Sequence, residues 1–310
     1  MTALLTLGTG CASLTPFAEV RARAGDDAFV RIGDQLVHVE RAGSGEAVVL
    51  IHGFGGSSRS WRRVIPSLAE DHRVVAPDLN GFGWTERPRE PEAYTLDGQA
   101  RLVLAVMDTL GLDRAHLVGH SYGGGLALWI AAHHPERLRS LVLVDSTLPA
   151  YSVERRRSVA AWRPLVAVFV RTVALRSSFV RRGLLRSVAD PAVVTDELVS
   201  GYLERLKVDG AIEAYHGLTA NVDGPRPEVD LASIGVPTLV VWGADDGLLA
   251  AHLGEQAARA MPNARFVAIP GCGHLPMEEN SAALLDAVRP FLDEVAHLVA
   301  VDANDRPYGG

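Results

Sequence analysis

Cysteine is almost missing from this chain. Cys11 and Cys272 are the only two in 310 residues, too few for a disulfide framework. Histidine and cysteine nowhere gather into metal-ligand spacing, so no metal and no cofactor is expected. An excess of basic charge is also lacking. With 30 Lys and Arg against 37 Asp and Glu, the net charge of −7 excludes the cationic footprint of a nucleic-acid partner. No internal repeat is present. The composition, 48% hydrophobic and 22% charged, is that of a packed globular chain and excludes wholesale disorder. The length has room for one large α/β domain carrying an inserted module.

What is present falls into a regular order. Phe29-Val30-Arg31-Ile32 and Gln35 to Glu40 alternate around Gly33-Asp34, the pattern of a hairpin. Ala47-Val48-Val49-Leu50-Ile51 is a continuous apolar run ending in His52-Gly53, typical of a strand buried on both faces. Arg73 to Pro77, Ala115 to Val118, Leu141 to Val144, Thr238 to Trp242 and Arg265 to Ile269 give further strands. Helical spacing fills the intervals, as in Thr95 to Leu110, which ends at Gly111, and in the last helix near Ser281 to Leu298. Strands alternating with helices indicate an α/β fold with a mainly parallel sheet covered on both faces.

Between Pro149 and Val236 the alternation lapses into wholly helical patterning, long enough for an inserted cap over the carboxyl edge of the sheet. The expected organisation is therefore a signal-like segment and tether over 1–27, a core made of 28–148 and 237–300, a helical cap over 149–236, and a flexible tail over 301–310. The first half of the cap, Tyr151 to Asp190, carries nine arginines against Glu154 and Asp190. Leu165, Val166, Phe169, Val170 and Val173 fall on one helical arc there. That arc either packs on the core or offers an apolar, arginine-flanked face to lipid or to a hydrophobic substrate.

Ser121 carries the clearest chemical signal. It stands in Gly119-His120-Ser121-Tyr122-Gly123, after a strand and before the helix-like Gly124 to Ala132. Strand, G-x-S-x-G and helix in that order force a serine onto a sharp turn with its hydroxyl exposed. The flanking glycines are needed because the turn leaves no room for side chains. Other glycine-rich stretches follow strands in turn: His52-Gly53-Phe54-Gly55-Gly56, Asp78-Leu79-Asn80-Gly81-Phe82-Gly83, Trp242-Gly243-Ala244-Asp245-Asp246, and Gly271-Cys272-Gly273-His274. With these motifs in this order, the chain from about Phe29 to Leu298 resembles an α/β-hydrolase-fold serine hydrolase of the esterase and lipase kind.

The resemblance implies a nucleophile, acid and base in the chain order Ser, Asp, His. Ser121 would attack, with His274 just past the last strand as its base. A carboxylate must hold the imidazole in the right tautomer. The family spacing Trp-Gly-x-x-Asp selects Asp246, with Asp145 after the sixth strand and its neighbour Asp245 as alternatives. Backbone N–H groups of Phe54 and Tyr122 would form the oxyanion hole. His52 is expected to organise its loop and Asp78 to brace its glycine-rich turn. Leu165 and Phe169 in the cap would contact substrate.

Serine at position 121 sets the chain apart from the haloalkane dehalogenases and epoxide hydrolases that it resembles elsewhere, because those require a carboxylate there. The expected substrate is a small carboxylic ester with an apolar acyl group. Carbon–carbon bond hydrolases of ring-cleavage products share the triad, but usually have tryptophan after the histidine, where this chain has Leu275. A slow-turnover ligand-binding protein on the same fold is the further alternative.

The stretch Ala3 to Leu14 runs from apolar into small residues around Cys11 and resembles the end of a bacterial lipoprotein signal. The resemblance implies an envelope protein held at the membrane through lipidated Cys11. A frayed terminus with a chance cysteine, in a cytoplasmic protein, is the alternative. The apolar stretch is too short to span a bilayer. Metabolic labelling with a clickable fatty acid is expected to mark the wild type and to fail for Cys11→Ser. An unlabelled product that retains Met1 would identify the pattern as coincidence.

Overall fold

Five consecutive apolar residues, Ala47 to Ile51, cannot alternate between core and solvent, so the strand they form must lie at the centre of a sheet. That strand, β3 (Glu46–Ile51), does so. The computed structural model describes residues 13–148, 169–222 and 229–304. In it α1 (Phe17–Ala24) precedes the hairpin of β1 (Phe29–Ile32) and β2 (Gln35–Ala42), which turns through Gly33 at φ 57°. After β3 come α2 (Ile65–Leu68), β4 (His72–Pro77), α3 (Leu96–Thr109) and β5 (Ala115–His120). Next are α4 (Tyr122–His133) and β6 (Leu138–Val144). The chain returns to the sheet with β7 (Thr238–Gly243) and β8 (Ala264–Ile269).

The eight strands are ordered β1-β2-β4-β3-β5-β6-β7-β8. The hairpin and its junction with β4 are antiparallel, and every later pairing is parallel. Val48 pairs with both Val74 and His116, and Val142 with both Val118 and Leu239. This register brings the carboxyl ends of β3 to β8 to one edge. Apolar clusters cover both faces of the sheet, one built around Val49, Leu117 and Leu143 and the other around Val48, Val118 and Val142. The result is the mainly parallel, doubly covered sheet that the alternating strand and helix patterns imply.

Between β6 and β7 the described residues form α5 (Ser177–Ser187), α6 (Asp196–Leu206) and α7 (Ala211–Val222), with no strand among them. They join both apolar clusters: Val180, Leu184 and Leu198 enter one, and Ala214 and Leu218 the other. The guanidinium of Arg205 on α6 lies 4.2 Å from the ring centre of Trp84, and Arg87 Nη2 donates to the Arg205 carbonyl at 3.1 Å. After β7 the core is completed by α8 (Ala251–Ala260), α9 (Pro276–Glu279) and α10 (Ser281–Asn304).

The structure corrects the sequence reading in three places. Residues 15–24 are not a tether. Thr15 forms an isolated bridge with Val208, its N–H donating to the Lys207 carbonyl and its carbonyl accepting from the Asp209 N–H. Val20 of α1 is 2% exposed, so this segment is packed on the fold; Cys11 lies outside the described residues. The C-terminal helix also runs to Asn304, into the expected tail. The apolar arc of the cap is broken as well. Residues 170–174 form a wide turn closed by the Leu175 N–H on the Val170 carbonyl, and that extra residue per turn shifts side chains off the 3.6-residue period. Val170 is buried, whereas Phe169 and Val173 are more than a third exposed.

Trp242 sits at the end of β7, fully buried, with its indole N–H on the Leu249 carbonyl at 2.8 Å and its ring against Gly254. Trp242→Ala is expected to lower unfolding stability by about 3–5 kcal/mol, as for other large-to-small core changes. A urea denaturation series beside wild type measures it.

Candidate active site

β5 ends at His120, and the chain must turn sharply to enter α4. Ser121 makes that turn with φ 51° and ψ −116°. A side chain other than glycine at positive φ is strained, and among the described residues only Ser121 and Asp145 are so placed. The neighbours must be glycine for a steric reason. A Cβ on Gly119 would stand 2.4 Å from the Gly123 carbonyl oxygen, and one on Gly123 would stand 2.4 Å from that of His52. The Ser121 N–H donates to Val144 O, and its carbonyl accepts from Gly124, Gly125 and Thr147 N–H groups. The strained residue is thus held by β6, α4 and the loop after β6 together.

The structure brings three of the sequence-predicted residues into one hydrogen-bonded line. His274 Nε2 lies 3.0 Å from Ser121 Oγ, and His274 Nδ1 lies 2.7 Å from Asp246 Oδ2. Asp246 Oδ1 accepts from the N–H groups of Leu248 at 2.7 Å and Leu249 at 3.0 Å. Burial pushes this carboxyl up, but the hydrogen bond and charge of His274, helped by the two N–H groups, outweigh it and leave its pKa below the ordinary value. With an ionised Asp246, Nδ1 carries the proton and Nε2 is free to accept from the serine. Asp245 is exposed and is not part of the line. Asp145 stands behind it: one carboxylate oxygen each of Asp145 and Asp246 and one ring nitrogen of His274 lie within 4.8 Å of one another. Asp246 and Ser121 engage both imidazole nitrogens of His274.

Phe54 and Tyr122 are placed beside this line by the loop after β3 and the start of α4. Tyr122 opens α4, where the first N–H groups have no intrahelical acceptor. Phe54 follows Gly53 in a turn closed by the Gly56 N–H on the Gly53 carbonyl at 3.1 Å, a bond that leaves its own N–H out. The two rings meet edge to face at 6.4 Å. Phe169 is brought to Phe179 on α5, at 5.8 Å between ring centres, with both more than a third exposed. Leu165 lies outside the described residues.

The surrounding loops are braced as expected. His52 Nδ1 donates to the Gly53 carbonyl and its Nε2 accepts from the Leu79 N–H, which ties the loop after β3 to the loop after β4. Burial pushes its pKa down. Asp78 accepts from the N–H groups of Ser58 and Trp84 and pairs with His38 at 2.9 Å. Its burial opposes ionisation, but His38, His52 and the Ser58 N–H outweigh that and hold it well below the usual carboxylate range.

Sequence reasoning missed two residues that position His274. His120 Nε2 donates to the His274 carbonyl at 2.7 Å, and the rings lie 5.0 Å apart. Burial, with the charge of His274, pushes the His120 pKa down to about 3, so it is a neutral structural donor. It is the last residue of β5, a strand buried along its whole length. Glu279 accepts from the Gly273 N–H at 2.9 Å and from the Ala189 N–H at 2.7 Å. It thereby ties the His274 loop to the segment after α5, a contact that no local pattern announces.

Comparison with known proteins agrees with this architecture. The family described as alpha/beta hydrolase fold matches residues 46–281. The chain is 33% identical over 252 residues to the dihydrolipoyllysine-residue acetyltransferase component of the acetoin cleaving system of Pseudomonas putida, covering 80% of this chain but only 64% of that longer protein. It is 31% identical over 268 residues to 2-hydroxymuconate semialdehyde hydrolase of Pseudomonas sp. (strain CF600), covering 82% of this chain and 89% of the relative. Among solved structures, a thermophilic esterase from Thermogutta terrifontis superposes with a TM-score of 0.72 at 26% identity, covering 86% of this chain and 97% of that one. By its sheet, its strained serine turn and this kinship, the chain belongs to the α/β-hydrolase-fold family of hydrolases.

Proposed function

We propose that this protein hydrolyses carboxylic esters with apolar acyl groups, using Ser121, His274 and Asp246 as a triad. The carrying observation is the line of contacts from Ser121 Oγ through the imidazole to a carboxylate of depressed pKa. Ser121 Oγ attacks the ester carbonyl while His274 Nε2 takes its proton. The negative oxygen of the tetrahedral intermediate accepts from the N–H groups of Phe54 and Tyr122. Collapse breaks the bond to the alcohol, which leaves with the proton from His274. Water then attacks the acyl-enzyme by the same route and releases the acid. Asp246 stays ionised throughout and stabilises the imidazolium.

Carbon–carbon cleavage of a ring-cleavage product is the second reading, favoured by the likeness to 2-hydroxymuconate semialdehyde hydrolase. Leu275, buried after His274, stands where such enzymes usually place tryptophan, and this supports the ester. The same triad geometry would also serve a slow-turnover binding protein, which turnover number distinguishes. The helices between β6 and β7 act in this reading as the cap that selects the acyl group.

A fluorophosphonate probe is expected to label the protein once. Ser121→Ala should abolish labelling and lower kcat by about 10⁶-fold, the size of effect seen when a serine nucleophile is removed elsewhere. Labelling that survives Ser121→Ala would refute the mechanism. A p-nitrophenyl ester series run beside a dienoate ring-cleavage product decides between the two bond types, and faster turnover of the dienoate would overturn the ester reading. Asp246→Asn should cost about 10⁴ in kcat by favouring the wrong histidine tautomer, while Asp245→Asn leaves the rate near wild type. In the cap, Phe169→Ala should change the ratio of kcat/KM values across the ester series. Unchanged ratios would make that face purely structural.

A further inference from the structure

Asp145 has no role in the steps above, yet its position is costly. It follows β6 with φ 42°, is 0% exposed, and its N–H donates to the Val241 carbonyl at 3.0 Å. Its Oδ1 accepts from the Gly243 N–H at 2.9 Å. Its Oδ2 is buried and has no donor, although one carboxylate oxygen of Asp145 lies within 4.8 Å of one of Asp246. Two such acceptors, away from water, cannot bond to each other unless one of them carries a proton.

The surroundings decide which one it is. Asp246 has two backbone N–H groups and the His274 ring to stabilise its negative charge. Asp145 has the single Gly243 N–H. The ionisable groups around it are Asp246 after β7, Glu279 on α9, and Cys272 and His274 after β8. Among these, Asp246 and Glu279 oppose a second negative charge. Two carboxyls sharing a buried site do not both ionise, and burial together with these neighbours pushes the Asp145 pKa well up.

We propose that Asp145 is a protonated positioning residue, whose Oδ2–H donates to the Asp246 carboxylate and holds it against His274 Nδ1. This rests on the triad reading of Ser121, His274 and Asp246. The hydrogen bond has two effects. It fixes the carboxylate rotamer, and it withdraws charge from Asp246, which lowers its pull on the imidazolium proton. The acid limb of kcat/KM, below which the base is unavailable, is therefore expected to respond to the state of Asp145.

Sign is what separates this from an ionised Asp145. Removing a neutral donor leaves Asp246 more strongly negative, stabilises the imidazolium and moves the acid limb to higher pH. Removing a negative charge would move it to lower pH. Profiles of kcat/KM against pH on a p-nitrophenyl ester are compared for wild type, Asp145→Ala and Asp145→Asn, each corrected for active sites by fluorophosphonate titration. Asp145→Ala is expected to shift the limb upward by about half a unit or more and to lose roughly tenfold or more in kcat/KM, the size of a lost hydrogen bond to a charged group. Asparagine offers an N–H to Asp246 and a carbonyl to Gly243, so Asp145→Asn should restore the wild-type limb and most of the rate. A downward shift in both variants, or an unshifted limb in Asp145→Ala, overturns the proposal.

Infrared difference spectra give a readout independent of turnover and of whether Asp145→Ala folds. Wild type at neutral pH should show the carbonyl stretch of a buried carboxylic acid that Asp145→Asn lacks, and absence of that band also overturns the proposal. Failure of fluorophosphonate to label Ser121 would instead count against the triad, leaving the infrared band to decide the state of Asp145.

Discussion

The turn at Ser121 is the constraint around which this molecule is arranged. A serine at φ 51° and ψ −116° costs of order 1–3 kcal/mol in backbone strain and persists only where its surroundings over-determine it. Here they do so by contact. The serine carbonyl collects three N–H groups, its own N–H is taken by β6, and glycines at 119, 123 and 124 let β3, β5, α4 and the loop after β6 approach closely. Substituting any of these glycines would push backbone or a buried side chain out of place. From this turn the hydroxyl faces His274.

The acidic residues at the ends of β6 and β7 show how local backbone assigns chemistry to identical side chains. Asp245 and Asp246 are neighbours, but the turn after β7 sends them opposite ways: the Asp245 N–H bonds the Cys272 carbonyl and that of Asp246 bonds Gly243. One side chain is exposed and the other is 8% exposed. Only the second finds backbone donors and an imidazole, and these more than offset its burial.

The strands, the serine turn and the order of serine, acid and histidine were legible because each is written in contiguous residues. Apolar runs such as Ala47 to Ile51 specify buried strands, and Gly119 to Gly123 or Gly271 to His274 mark turns whose sterics admit little else. Contacts between distant segments were not legible. Nothing near Glu279 indicates that it reaches Ala189, and the x position of G-x-S-x-G does not show that His120 will meet His274. The first helix went unseen for a different reason. The residues from Phe17 to Ala24 are mostly polar or small, and α1 gains its place from Val20, from the edge-to-face contact of Phe17 with Phe29, and from the bridge of Thr15 to Val208. The wide turn at 170–174 broke the helical period on which the reading of the cap face depended.

The histidine loop is fastened to the cap as well as to the core. The His274 N–H donates to the Ser187 carbonyl at 2.8 Å, while Glu279 grips both the Gly273 and Ala189 N–H groups. A Cβ on Gly273 would come within 2.6 Å of the Ala189 nitrogen. The end of α5 and the imidazole therefore share one mechanical joint. A displacement of α5 would carry the His274 ring with it, and in the proposed mechanism any change that loosens this helix would also disturb the proton transfer.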